Sequence, residues 1–170
     1  MKKVMHNITL THDRLREVLR YDEATGKIFW KVSCSNRAKA GSEAGSRTSE
    51  GRMSIAVDGR RYLAHRLAWF YVHGEFPSGE IDHIDGDPTN NRISNLRDVD
   101  RTTNAQNNRR AKRISRSGLL GAFWFERDKC WVSKIRINGK LTHIGYFNTA
   151  EAAHEAFIAK KREHHHGCTL

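Results

Sequence analysis

Ile81-Asp82-His83-Ile84-Asp85-Gly86-Asp87, then Asn90-Asn91-Arg92-Ile93-Ser94-Asn95-Leu96-Arg97, then Asn104-Ala105-Gln106-Asn107 is the stretch on which the reading of this chain turns. It suggests a short strand, a polar loop, a second short strand and a segment from Asp100 to Arg110 that can be helical. Asparagine is a poor helix former, so Asn104, Asn107 and Asn108 in one short helix invite a functional explanation. Asn95 follows His83 by 12 residues and Asn104 follows Asn95 by 9. Strand, loop, strand and helix form a compact device for bringing an Asp, a His and an Asn to one point. One carboxylate and one amide are hard oxygen ligands, suited to a cation such as Mg²⁺. A neutral imidazole beside them can take a proton from water near pH 7. A metal ion can stabilise the charge on a phosphate under attack and on its leaving oxygen. Together these are the parts for hydrolysing a phosphodiester.

The surrounding composition agrees. The 170 residues include 30 Lys+Arg against 19 Asp+Glu, a net charge of +11, which points to a polyanionic partner, most often nucleic acid. The charge is uneven. Residues 81–108 form an acidic island, with Asp82, Asp85, Asp87, Asp98 and Asp100 outnumbering Arg92, Arg97 and Arg101. Carboxylates facing DNA phosphates gain nothing unless a cation lies between them. Several of these are turn residues: Asp85 and Asp87 flank Gly86 and precede Pro88. No apolar run approaches the 18 residues of a membrane span, and Met1-Lys2-Lys3-Val4-Met5-His6 lacks the apolar region of a secretory signal. Cys34, Cys130 and Cys168 are odd in number and far apart, with no Cys-x-x-Cys, which argues against a disulfide framework and a thiolate zinc site.

Upstream of the island, Leu10-Thr11-His12-Asp13-Arg14-Leu15 looks like a helix start capped by Thr11, with Leu15, Val18 and Leu19 as its apolar stripe. Lys27 to Val32 reads as a strand, and the Ser-, Gly- and Ala-rich stretch from Ser33 to Gly51 as a long loop. Met53, Ile55 and Val57 alternate up to Asp58-Gly59, a tight-hairpin signal, and Arg60 to Leu63 returns. His65 to Val72 reads as a short buried helix ending near Gly74, with His73 closing it and His65 packed near the site.

Residues 9–108 resemble the phage-type HNH endonucleases through Tyr62-Leu63-Ala64-His65-Arg66-Leu67-Ala68-Trp69 and the three runs quoted first. The resemblance implies a ββα-metal fold, with His83 as general base, Asp82 and Asn104 as metal ligands, and Asn95 as a structural residue pinning the loop through backbone hydrogen bonds. It implies one divalent cation per site, Mg²⁺ or Mn²⁺. The third letter is Asn where many relatives have His, which makes zinc less fitting and leaves Asn107 as the alternative ligand to Asn104. The resemblance also implies a phage- or prophage-encoded protein working in the cytoplasm of a bacterial host.

Arg109 to Gly118 carries five basic residues (Arg109, Arg110, Lys112, Arg113, Arg116), no acidic one and no core pattern, so it reads as a linker suited to phosphate or minor-groove contact. Beyond it, Trp131, Ser133, Ile135 and Ile137 alternate with Val132, Lys134 and Arg136, Asn138-Gly139 signals a type I′ hairpin, and Leu141 to Phe147 returns. Asn148 is the expected cap of a following helix, with Glu151 at its third position and Ala153, Ala156 and Phe157 as its stripe. Residues 118–163 are similar to the plant ethylene-response-factor (Apetala-type) DNA-binding domain, through Gly121-Ala122-Phe123, Trp131 to Arg136, Ile144-Gly145-Tyr146-Phe147 and Thr149 to Ala153. The resemblance implies a three-stranded antiparallel sheet on one helix, the sheet lying in the major groove. Lys134 and Arg136 share one face, with His143 expected on the same side; Arg can pair bidentately with guanine. The plant domains carry arginines on the first strand where this chain has Phe123, Trp124 and Phe125, so their target sequences do not carry over. The triple histidine His164-His165-His166 is expected to be an inert flexible tail.

The expected molecule is therefore α+β: an HNH ββα-metal unit with an N-terminal helix and hairpin (1–108), a basic linker (109–118), an Apetala-type domain (119–163) and a tail (164–170). Its expected function is metal-dependent cleavage of duplex DNA, one site per chain giving a nick from a monomer or weak dimer, with no membrane or small-molecule substrate. A catalytically inactive DNA-binding or regulatory protein is the competing reading; an intact Asp82-His83 and Asn104 set speaks against it.

Overall fold

The protein's computed structural model describes residues 10–36, 38–111 and 114–170. It divides into two compact units, the first running to Asp98 and the second from Val99 to Leu170. The charge pattern sets its own boundary at 108, whereas by contacts the helix that carries Asn104 falls in the second unit.

In the first unit, Thr11 caps helix α1 (His12–Val18), its hydroxyl accepting the Arg14 N–H at 3.2 Å. The helix stops one residue short of the expected stripe. Leu19 is extended (φ −125°, ψ 153°) and opens β1 (Leu19–Asp22), which pairs antiparallel with β2 (Lys27–Trp30), Leu19 opposite Trp30. Leu15, Val18 and Leu19 are all buried, so burial at helical spacing did not distinguish a helix from a helix that passes into a strand. The Asp22 side chain closes the turn, accepting the Thr25 hydroxyl at 2.8 Å and the Ala24 N–H at 3.1 Å. Within the expected long loop, Ser46–Arg47 forms a short strand β3.

Strands β4 (Met53–Val57) and β5 (Arg60–Leu63) complete an antiparallel sheet in the order β3-β4-β5. They turn through Asp58 (φ 48°) and Gly59 (φ 80°), the two positive φ angles of a type I′ turn. Helix α2 (Ala64–His73) follows at once and ends on Gly74 at φ 79°. Leu15, Val18, Leu19, Ile28, Trp30, Ile55, Leu67, Ala68, Phe70, Ile81 and Leu96 form one continuous core. On it rests a two-stranded sheet of β6 (Glu80–His83) and β7 (Leu96–Val99), joined by the polar loop and a 3₁₀ turn, Ile93–Asn95.

In the second unit, Asp100 caps helix α3 (Arg101–Gln106) through its carboxylate, which accepts the Thr102 and Thr103 N–H groups. After the basic stretch comes an antiparallel sheet, β8 (Ala122–Phe125), β9 (Cys130–Ile137) and β10 (Lys140–Phe147), in the order β10-β9-β8. Asn138 and Gly139, at φ 48° and 81°, form the type I′ turn that their sequence signals. Helix α4 (Ala150–His164) covers one face of the sheet through Ala150 and Ala153, with Leu119, Trp131 and Phe147 at the margin. Its cap is Thr149 rather than Asn148: Thr149 is extended and its hydroxyl accepts the Ala152 N–H at 3.1 Å, so Glu151 stands at the second helical position. Both side chains are good caps; one more extended residue is needed to turn from β10 into the helix.

The C-terminal residues are held rather than free. His164 ends α4, His165 Nε2 lies 2.8 Å from the Arg136 carbonyl, and Gly167 donates its N–H to Gln106 Oε1 at 3.0 Å. Among the described residues no helix is long and apolar enough to cross a membrane.

Candidate active site

Strand β6 delivers Asp82 and His83 side by side, and both are buried. The Asp82 carboxylate is not simply awaiting a cation. Its Oδ2 accepts from Arg97 on the adjoining strand β7, from Nε at 2.8 Å and Nη2 at 2.7 Å. The pair is shielded, the Asp82 side chain being 7% exposed and Arg97 26%. A carboxylate held this way has a fixed orientation, at the expense of part of its negative charge.

His83 is fixed through its ring. Nε2 lies 3.0 Å from Oδ1 of Asn91, and the ring of His65 stands edge-on to it at 5.3 Å. His65 is 3% exposed, and burial pushes its imidazole down to about 3, the charge of a protonated His83 acting in the same direction. His65 is thus neutral at physiological pH and places no competing charge beside His83.

Asn95 ties the loop together. Its Oδ1 accepts the Asp85 N–H at 3.0 Å, and its Nδ2 donates to Asp85 Oδ1 at 2.9 Å and to the Asn90 carbonyl at 2.8 Å. Its own carbonyl accepts the Ile84 N–H at 2.9 Å. Asp85 and Asp87 are engaged in the same turn: Asp85 Oδ2 accepts from Asn90 Nδ2, and Asp87 Oδ1 takes the N–H and hydroxyl of Thr89. For Asp87 the Thr89 hydrogen bonds hold the carboxyl below the ordinary carboxylate range.

Asn104 lies half-buried on α3 in the second unit, its N–H donating to the Asp100 carbonyl at 3.0 Å. Asn107, the alternative ligand, has its amide oxygen engaged by the Thr169 hydroxyl. The chemistry of the donors, a carboxylate oxygen on Asp82 and an amide oxygen on Asn104, fits a hard divalent cation. Among the described residues no three His, Cys, Asp or Glu gather as a metal cluster.

Of the basic candidates, Lys134 and Arg136 are exposed on β9, and His143 is the cross-strand partner of Lys134 on β10. The same face exposes Phe123, Leu141 and Tyr146. Arg109 donates to the Thr169 carbonyl at 2.9 Å, Arg110 is exposed, and Arg116 sits over the Trp124 ring at 5.0 Å. Lys112 and Arg113 lie outside the described residues.

Sequence reasoning passed over Arg97 and Asn91. Arg97 could be found as the last residue of the Asn-Leu-Arg run on the strand paired with Asp82. Asn91 had no signal beyond its place in an Asn-Asn pair, because the loop alone decides which amide meets His83.

Residues 62–109 match the family model described as HNH endonuclease. Protein 3.8 of Escherichia phage T7 is 32% identical over 104 residues, covering 61% of this chain and 84% of that protein. A solved structure titled for DNA binding and cleavage by the HNH homing endonuclease I-HmuI aligns over 88% of each chain, at 18% identity and a TM-score of 0.40.

Proposed function

The chain belongs to the family of phage T7 protein 3.8 and carries an HNH endonuclease domain, and we propose that it is a metal-dependent endonuclease that nicks duplex DNA. The observation that carries this reading is the buried His83, its Nε2 engaged by Asn91 and its ring braced by His65, immediately beside the oriented carboxylate of Asp82. His83 takes the proton from the attacking water. Asp82 and Asn104 would be the residues to hold Mg²⁺ or Mn²⁺, and the bound cation would supply stabilisation of the negative charge that develops when a phosphodiester is cleaved. Asn95 keeps the loop in shape. The products are a 3′-hydroxyl and a 5′-phosphate.

The sheet of the second unit is the DNA-locating part, an Apetala-type domain with Lys134, Arg136 and His143 on its exposed face. Arg109, Arg110, Lys112, Arg113 and Arg116 add phosphate contacts from the basic stretch. Mapping DNA ends on phage or bacterial genomic DNA, with Mg²⁺ or Mn²⁺ and with chelator, tests the reading. Recurrent 5′-phosphate ends on one strand that vanish with chelator are expected; no cleavage under any divalent cation would contradict it.

One observation favours a second reading. Arg97 occupies an oxygen of Asp82, which lowers the site's attraction for a cation and fits a DNA-binding protein without cleavage. The two readings part on metal: a nuclease shows saturable Mn²⁺ binding that Asp82→Asn weakens, whereas an inactive binder holds DNA equally well with and without metal.

A further inference from the structure

We propose that the open face of the second unit's sheet is a thymine reader: Phe123 and Tyr146 take the C5-methyl groups of thymines in the major groove, beside the cations of Lys134 and Arg136. This rests on the function proposed above, in which the sheet locates duplex DNA, and adds which bases it selects. The strand register builds the face. Phe123 pairs with Val132 and Val132 with Tyr146, so three apolar side chains form one row across β8, β9 and β10. Helix α4 covers the other side, where Ala122, Trp131 and Phe147 stand. Successive strand residues alternate between faces, so the Phe123 row is turned away from the helix. Val132, 4% exposed, is its floor; Phe123 at 55% and Tyr146 at 59% flank it in solvent.

Beside that row Lys134 faces His143, and beyond them Arg136 faces Leu141, itself exposed. None of the described strand residues on this side is acidic. Large apolar side chains held in water gain free energy when a partner covers them, and the adjoining cations suit a polyanionic partner. Duplex DNA offers both groups: phosphates along the rim and, on the floor of a major groove that admits a β-ribbon, the thymine methyl, which takes apolar contacts. A single strand would offer bases for stacking instead, and stacking needs free ring faces. Here the rings are engaged with neighbours. The Arg127 guanidinium lies over Phe125 at 5.2 Å, and Tyr146 lies 4.7 Å from the His143 ring and 6.3 Å from the Phe125 ring, tilted to both. Rings so engaged make walls for a methyl rather than platforms for a base.

The test uses the full chain in chelator, so that cleavage does not enter. Short random-sequence duplexes are selected for binding, and the recovered sequences are remade with thymine or with uracil, which lacks only the methyl. Wild type is expected to bind the uracil duplexes roughly 4-fold more weakly for each methyl contacted, and the double variant Phe123→Ser, Tyr146→Ser to bind both forms alike. Equal affinity of wild type for the two forms overturns the proposal, as does a uracil penalty that persists in the double variant. Tighter binding of the same sequences as single strands overturns it in favour of stacking. The wild-type comparison needs no variant to fold. Lys134→Ala and Arg136→Ala separate this assignment from the function it rests on. If they weaken duplex binding while uracil costs nothing, thymine reading is overturned and the DNA-locating sheet is kept. If both bind duplex as wild type does, the sheet does not locate DNA and thymine reading is overturned with it.

Discussion

Asn95 shows how much a single side chain can hold. It satisfies three partners around one loop, at 2.8 to 3.0 Å, and replacing it strands the Asp85 N–H and the Asn90 carbonyl. Asn95→Ala is expected to cost about 2 kcal/mol, read as a lowered denaturant midpoint. His65 sets an acid limit on the fold. Its folded value of about 3 lies below the ordinary 6.5, so the unfolded chain binds a proton that the folded chain refuses. Its contribution to stability is complete above about pH 6.5 and is lost progressively as pH falls toward 3. Unfolding free energy measured across that range should fall with a slope approaching one proton, and His65→Gln should flatten it. At this scale the sequence was informative where turn chemistry is local, as for Asp58-Gly59. It was silent on Asn91 and on the Arg97–Asp82 pair, because both depend on register and loop path rather than on residue type.

At the scale of elements, hairpins were legible and helix ends were not. Asn138-Gly139 and Asp58-Gly59 need positive φ at both positions, a demand that few sequences meet. By contrast, Leu19 satisfies both a helical stripe and a buried strand, and Asn148 and Thr149 are both competent caps. The cap is open to a direct check: Thr149→Ala should destabilise the second unit by about 1 kcal/mol, while Asn148→Ala should change little. The hairpin that backs Asn91 has its own test. Gly26→Ala forces a Cβ into the Asn91–Arg92 peptide, so it should lower thermal stability and, under the nuclease reading, also lower cleavage.

The whole molecule combines a net charge of +11 with a locally acidic island around the site. An excess of basic charge was visible from composition alone. Contacts and charge do not follow the same boundary: the contact-based units part after Asp98, the charge pattern after residue 108. If the exposed β9 face meets phosphate, DNA affinity should fall linearly with log salt, and Lys134→Ala should reduce the slope by about one. Loss of sequence discrimination, with the slope kept, would place Lys134 on a base edge instead.

The measurement that bears most directly on the nuclease reading is the nicking rate of supercoiled plasmid with Mg²⁺ or Mn²⁺, wild type against His83→Ala. Removing a general base is expected to slow the reaction about 10²–10⁴-fold, with plasmid binding intact and chelator stopping the wild type. Equal rates for the two proteins would contradict it.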